Sequence, residues 1–377
     1  MAKPPNQVDV LVLGEHPSAY LAAVLLRQSD KLKVMHSTIP AERSIERLVI
    51  VNPKFYSLHK LLEPLKRKID STAIHGLQFL GDQPDQHSEF RSKAAVVSIS
   101  SYQQIRDTLA ELAHRHGVLM AQPRSLDVEL PDEQGMKISV GGQSIHAKVL
   151  VVAGELPTDL RRPLGIANVW DRALVQRYTF VSLPGNAAEL TARPTLPMSL
   201  DLDHTLAWAW LLQGRKQVQL AIQQPLSGID HTNPHHLLRH WMTVLERHGL
   251  LRHPQSVPQD RMRFLDLPAA AALEVDGVAN RTLLIGPAGG FYSACGEDIY
   301  PTCWSAIHAV EIIRKALKQP HLQDALNPYR DRWRTSLGEY LRGPRQNLRF
   351  LLPLVYKNQT MANRLAESIL QGKSLIR

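Results

Sequence analysis

Cysteine is nearly missing from this chain: Cys295 and Cys303 are the only two in 377 residues. That excludes a disulfide framework and makes a reducing cytoplasm the expected setting. Seven residues separate the two thiols, so they form no redox CxxC pair, and two thiols alone make a poor zinc site. Aromatic residues are few, at 6%, and no recognised nucleic-acid module with interleaved aromatics occurs. No apolar run reaches the roughly 18 residues that a membrane-crossing helix needs. The opening, MAKPPNQVDVLVLG, has no signal-peptide layout, because its apolar run is a short strand. There is no internal repeat, no low-complexity tract and no G-x-S-x-G elbow, so hydrolase chemistry has no support.

What is present is an ordinary globular composition, 44% hydrophobic and 21% charged, long enough for two domains. Acidic residues are scarce towards the end. Residues 301–377 hold 13 Lys/Arg against 5 Asp/Glu, which is nearly all of the net charge of +9. Three destinations fit that surplus: a solvated helical surface, a face for anionic membrane lipids, or a nucleic-acid face. The missing module weighs against the third.

Val8 to Gly14, VDVLVLG, is a continuous apolar run ending in glycine, the pattern of a parallel strand buried on both faces. EHPSAYLAAVLLRQSD follows as turn and helix, and KLKVMHS as a second strand, giving a βαβ unit. Ser101 to Gly117 has helical periodicity with a glycine stop, and VLMAQ after it predicts a short strand. LDVELPDEQGMKISVGGQSIHAKVLVVAGE alternates through turn signals, predicting an antiparallel meander that returns as a buried strand. AWAWLLQGRKQVQLAIQ predicts a hairpin turning near Gly214. LLIGPAGGFYSACGEDIYPTC, from Leu283 to Cys303, reads as buried strand, glycine-rich turn and irregular loop entering a helix.

This order of elements resembles the flavoprotein oxidoreductases of the para-hydroxybenzoate hydroxylase fold, in particular the geranylgeranyl-reductase-like branch. The segments that carry the likeness are the opening βαβ unit, the helix ending at Gly117, VVAGELPTDLRRPLGI, the 283–313 stretch and the helical tail. The resemblance implies an α/β fold: a Rossmann-like FAD/NAD(P)-binding sheet with an inserted strand-rich substrate domain and a helical C-terminus. The expected bounds are 1–168 with 265–318 for the FAD-binding-like domain, 169–264 for the substrate domain and 319–377 for the basic helical region. It also implies FAD, redox chemistry on a hydrophobic small molecule by a reductase, monooxygenase or halogenase, and NAD(P)H as a reductant.

Carried over residue by residue, the family's motifs are altered. The first turn, normally GxGxxG, reads GEHPSA: Gly14 keeps the tight turn and Ala19 the close packing, but His16 replaces the glycine that admits phosphate. The second strand offers His36, Ser37 and Thr38 where an acid usually takes the ribose hydroxyls. In VVAGELPTDLRRPLGI the Asp-Gly pair has become Gly154-Glu155, while Arg161 is retained. Pro287 stands where an aspartate would bind the ribityl chain, leaving Gly286 and Gly289 for close backbone approach. Gly296, Asp298 and Ile299 resemble the loop that faces the flavin ring at a helix N-terminus. A second reading follows from the exchanged side chains: a cofactor-free scaffold that binds an apolar ligand or an anionic membrane surface.

Three further patterns have two readings each. Trp208 and Trp210 share one face of a strand, as a wall for an apolar substrate or as ordinary packing. His231, His235, His236 and His240 form a polar helical face, or His236 and His240, one helical turn apart, chelate a metal with a third ligand. NPKFYSLHKLLEPLKRK places Phe55, Leu58, Leu61 and Leu62 at an apolar entrance or on a plain surface helix.

Overall fold

The protein was analysed as a computed structural model, which describes residues 6–28, 32–40, 45–123, 125–129, 135–188, 193–205, 207–228, 233–251, 259–294, 296, 299–344, 348–373 and 375. The opening apolar run is the central strand of the first sheet. Gln7–Leu13 pairs in parallel with Gln143–Val152 on one side and Val34–Ser37 on the other, with Leu11 opposite both Leu150 and Met35. Its last four residues are fully enclosed, which is why they are apolar without alternation. Leu119–Ala121 extends the sheet beyond Val34–Ser37, and Thr282–Leu284 with Val278–Ala279 extends the opposite side. The expected meander is present as Leu126–Val128, Met136–Val140 and Gln143–Val152.

The Pro17–Gln28 helix is buried from Pro17 to Leu26, because it lies between this sheet and two helices, Tyr102–Arg115 and Ile299–Ala316. Ser101 caps the Tyr102–Arg115 helix by accepting from the Gln104 amide, as expected of a serine at that place.

The second sheet has seven strands in the order Arg263–Leu267, Gln176–Pro184, Gln217–Pro225, Ala207–Gln213, Leu196–Leu202, Gly76–Leu80 and His87–Arg91. Its hairpin turns between Gln213 and Gln217, with the Gly214 amide donating to the Gln217 carbonyl. The last two strands of this order come from within the first 168 residues, and Arg263–Leu267 crosses the 264/265 border. Gly76–Leu80 joins by parallel pairing to Leu196–Leu202, a long-range partnership that the local pattern GLQFL does not encode. A three-stranded sheet, Leu48–Val51, Val97–Ser101 and Ser71–Ile74, bridges the two.

The stretch around Phe55 is neither an entrance nor one surface helix. It folds as a short helix, Lys54–Ser57, and a tight turn, Glu63–Arg67, with Phe55 and Leu62 fully buried and Leu58 and Leu61 packed against the same core. The chain ends in helices Ile299–Ala316, Leu322–Leu326, Tyr329–Arg342, Leu348–Lys357 and Gln359–Gln371, the expected helical C-terminus. No helix among the described residues is long and apolar enough to cross a membrane.

Candidate functional site

The two glycine turns of the first sheet meet at its carboxyl edge. Gly14 has φ of +118°, and a side chain there would lie 2.7 Å from the Gly154 amide nitrogen, so only glycine fits. Gly286 has φ of +52°, and a Cβ would come within 2.3 Å of the Ser18 hydroxyl and 3.4 Å of His16 Nδ1. The crevice between the turns is thus filled by His16 and Ser18, which are 3% and 0% exposed.

His16 is tied into the helix start. Its Nδ1 accepts from the Ser18 amide at 3.1 Å and from the Ser18 hydroxyl at 2.8 Å, and its carbonyl accepts from the Ala19 amide at 2.8 Å. An accepting Nδ1 places the proton on Nε2, which has no partner among the described residues. Burial, and then the nearby Arg47 charge, hold this imidazole well below its ordinary pKa, so it is neutral. Arg47 is itself buried, with its guanidinium 3.7 Å over the Tyr102 ring.

His36 closes the neighbouring position. Its Nε2 donates to the Gly14 carbonyl at 2.7 Å, and its ring stacks on Tyr20 with centroids 4.5 Å apart. Burial lowers its pKa to about 4 against the opposing pull of that carbonyl. Gly286 to Gly289 form a tight turn opened by Pro287, with a Cβ at Gly289 meeting the Phe291 ring at 2.4 Å. Arg161, on the short Thr158–Leu164 helix, donates to the Asn168 and Thr158 side chains, a local tie at the helix start.

FAD, the cofactor that this fold brings to mind, needs free amides and open space at the first turn for its diphosphate. Here the Ser18 amide is taken by His16, side chains fill the space, and His36 donates to the backbone where an acceptor for ribose hydroxyls would stand. The diphosphate and adenosine positions do not fit FAD in this arrangement. At the ring position Gly296 has φ of +80° and Ile299 opens the long Ile299–Ala316 helix, while Asp298 lies outside the described residues.

Beside Gly296 the seven-stranded and three-stranded sheets border an apolar space. Trp208 and Trp210 lie on one strand face with ring centroids 6.2 Å apart, and Trp241 donates its indole N–H to the Trp210 carbonyl at 3.0 Å. Two cavities adjoin there, of about 10 and about 20 Å³, and both are walled by Ile50 and Trp210. The first also meets Arg47, Tyr178 and Gly296; the second runs towards Asn52, Met198, Tyr340 and Leu370. Trp208 packs beside Trp210 in the same apolar cluster and walls neither cavity.

The polar groups around this space were not singled out from sequence. Gln219, fully buried, accepts from the Leu48 amide at 2.8 Å and donates to the Tyr178 hydroxyl at 3.0 Å. Gln223 donates to the Ala294 carbonyl at 3.5 Å, while its Oε1 has no partner among the described residues and sits 2.8 Å from where a Gly296 Cβ would be. The one available signal was the shared parity of Gln217, Gln219 and Gln223 on a strand whose neighbours are apolar.

Other candidates resolve into packing. His236 pairs with Asp203 at 3.2 Å and His240 with Asp82 at 2.8 Å; no metal-binding cluster occurs among the described residues, and His231 lies outside them. Cys303 is buried in the Ile299–Ala316 helix, and Cys295 lies outside the described residues.

No family model and no curated protein matches the chain. Solved structures do, over 97% of its length. A geranylgeranyl bacteriochlorophyll reductase-like protein from Thermoplasma acidophilum matches over 92% of its own chain, with 14% identity and a TM-score of 0.67. PqsL of P. aeruginosa, in complex with 2-aminobenzoylacetate, matches over 98% with 15% identity and a TM-score of 0.64. The flavin-dependent brominase Bmp2 matches over 93% with 15% identity and a TM-score of 0.66. This chain therefore has the fold that the sequence motifs led us to expect.

Proposed function

We propose that this chain is an oxidoreductase-like protein of the flavoprotein fold that takes a hydrophobic small molecule with a polar end between its seven-stranded and three-stranded sheets. The observation that supports this is the pair of adjoining apolar cavities sharing Trp210 and Ile50, with Arg47 and Tyr178 at one end. Trp210, Met198 and Leu370 would wall the apolar part. Gln219 holds the Tyr178 hydroxyl in place, and Arg47 offers a charge to an acidic or hydroxylated end. Enlargement beyond the space for a water molecule requires side chains to move, as in any ligand entry into a close-packed interior.

FAD belongs to this reading through the flavin-dependent proteins that share the fold, one of which is described as a probable FAD-dependent monooxygenase. A reduced nicotinamide is the matching donor, and the reducing cytoplasm the matching location. Binding requires His16 to leave the first turn. A second reading, a cofactor-free binding protein on the same frame, is favoured by the packing of His16 and Ser18 against Gly286.

The test is to denature the purified protein and identify the released molecules by mass, alongside tryptophan-fluorescence titration with hydrophobic carboxylic acids and alcohols. A flavin at near one per chain supports the oxidoreductase reading; an apolar molecule without flavin supports the second. Neither molecule and no quenching by any ligand of the series would sink both.

A further inference from the structure

Phe350 is 82% exposed and Leu354, one helical turn on, is 52% exposed. Pro353 and Lys357 are exposed with them, so residues at i, i+3, i+4 and i+7 form one outward stripe on the Leu348–Lys357 helix. The opposite face is already satisfied: Leu348, Leu352 and Val355 are buried in the apolar cluster that holds Trp210, Met198 and Leu370. Single exposed apolar residues are normal on any protein, but a Phe and a Leu stacked on one turn and ended by a lysine form a patch.

Within its own segment of chain the stripe has charge of one sign, while Asp82 and Asp201 approach the helix from other elements. From Tyr340 to Ala366 the sequence carries Arg342, Arg345, Arg349, Lys357 and Arg364 and no acidic residue. Arg349 pairs with Asp201 at 3.3 Å and Arg342 with Glu339 at 2.7 Å, yet the two arginine side chains stay 50% and 63% exposed. Such surface pairs hold little energy and yield readily to other anions.

We propose that this helix docks on an anionic lipid bilayer, with Phe350 and Leu354 entering the headgroup boundary and Lys357 and the neighbouring arginines meeting lipid phosphates. Ten residues reach about 15 Å, half of the hydrocarbon thickness, so the helix lies in the surface and does not cross it. Docking places the apolar cluster that walls the ligand cavity one helix away from the lipid. The proposal goes beyond the functional reading above and stands whether or not FAD binds.

The experiment is sedimentation of the full chain with phosphatidylcholine vesicles, with and without about a third phosphatidylserine, at about 0.1 M salt. The wild-type chain is expected to pellet with the anionic vesicles and to stay in solution with the neutral ones. F350S/L354S should weaken binding about tenfold for each side chain withdrawn, with an unchanged unfolding midpoint because both positions are exposed. Lys357→Glu with Arg364→Glu, or added salt, should also release the protein. A wild-type chain that ignores anionic vesicles overturns the proposal, and so does a double variant that pellets like wild type. Self-association in the absence of lipid that F350S/L354S abolishes would make the stripe an interface between copies and overturn it equally.

Discussion

Replacing His16 by glycine restores the residue type that the first turn of a dinucleotide site uses, and its consequences follow from the contacts of the ring. The imidazole is 3% exposed, so its removal forfeits packing of about 3 kcal/mol, typical of a large-to-small change in a core. The Ser18 amide loses its acceptor, a capping loss of about 1 kcal/mol. Against this, the unpartnered Nε2 disappears, which returns about 1–2 kcal/mol of desolvation. The net is a destabilisation of about 2–3 kcal/mol, or a fall of about 3–4 °C in apparent Tm for a chain of this length. The vacated crevice lies between Gly14 and Gly286 at the start of a helix, where a phosphate is favoured. A thermal-shift series with and without FAD is the assay. His16→Gly at FAD a hundredfold above its Kd should recover about 2.7 kcal/mol, while the wild-type chain should gain less, because FAD must first displace His16 from the turn. Wild-type protein stabilised by FAD as strongly as the variant would refute the reasoning that His16 occupies the diphosphate position.

Further outcomes follow from other contacts. His36 is held at a pKa of about 4 in the fold by burial, against about 6.5 unfolded, so the unfolded chain gains a proton that the folded chain resists. Its contribution is full above about pH 6.5 and fades as the pH falls towards 4, with about 2 kcal/mol lost between pH 7.5 and 5. His16 and His308, lowered in the same direction, steepen that fall, and urea midpoints at three pH values check it. Stability that rises on acidification would contradict the assignment. Gly14→Ala should cost about 3 kcal/mol or more, through a left-handed backbone and a backbone contact at 2.7 Å, and should show as poor accumulation or a lowered midpoint. Gln219→Leu strands the Leu48 amide and removes the donor to the Tyr178 hydroxyl; a loss of about 2 kcal/mol and faster hydrogen exchange at Leu48 are expected. Wild-type exchange there would show that Gln219 does not tie the strand. Trp210→Ala should weaken binding of any ligand found between the sheets by tenfold or more, whereas Trp208→Ala, which walls neither cavity, should change affinity less.

Much of this architecture was written locally. A short apolar run without alternation that ends in glycine, such as residues 10–13, reads as a strand covered on both faces, and Ser101 is a cap because its hydroxyl reaches the amide three residues on. Gly14 and Gly286 were legible as turns because no other residue takes those backbone angles at so close an approach. Burial of polar side chains was harder to see. Gln219 and Gln223 look like the solvent face of a strand, and only the sheet packed over them turns that face inward.

The sequence by itself therefore determined the order of elements, the positions of the tight bends and the presence of His16, His36 and Pro287 at them. It also determined the run of basic residues without acid between Tyr340 and Ala366. Only the tertiary structure decided what occupies the crevice between the bends. His16, Ser18 and Gly286 come from segments some 270 positions apart, and whether a ring fills that space depends on a distance that no local pattern carries. The same holds for Gly76–Leu80, whose choice of sheet rests on a partner more than a hundred residues away, and for Phe350, whose exposure follows from which face of its helix the core had already claimed.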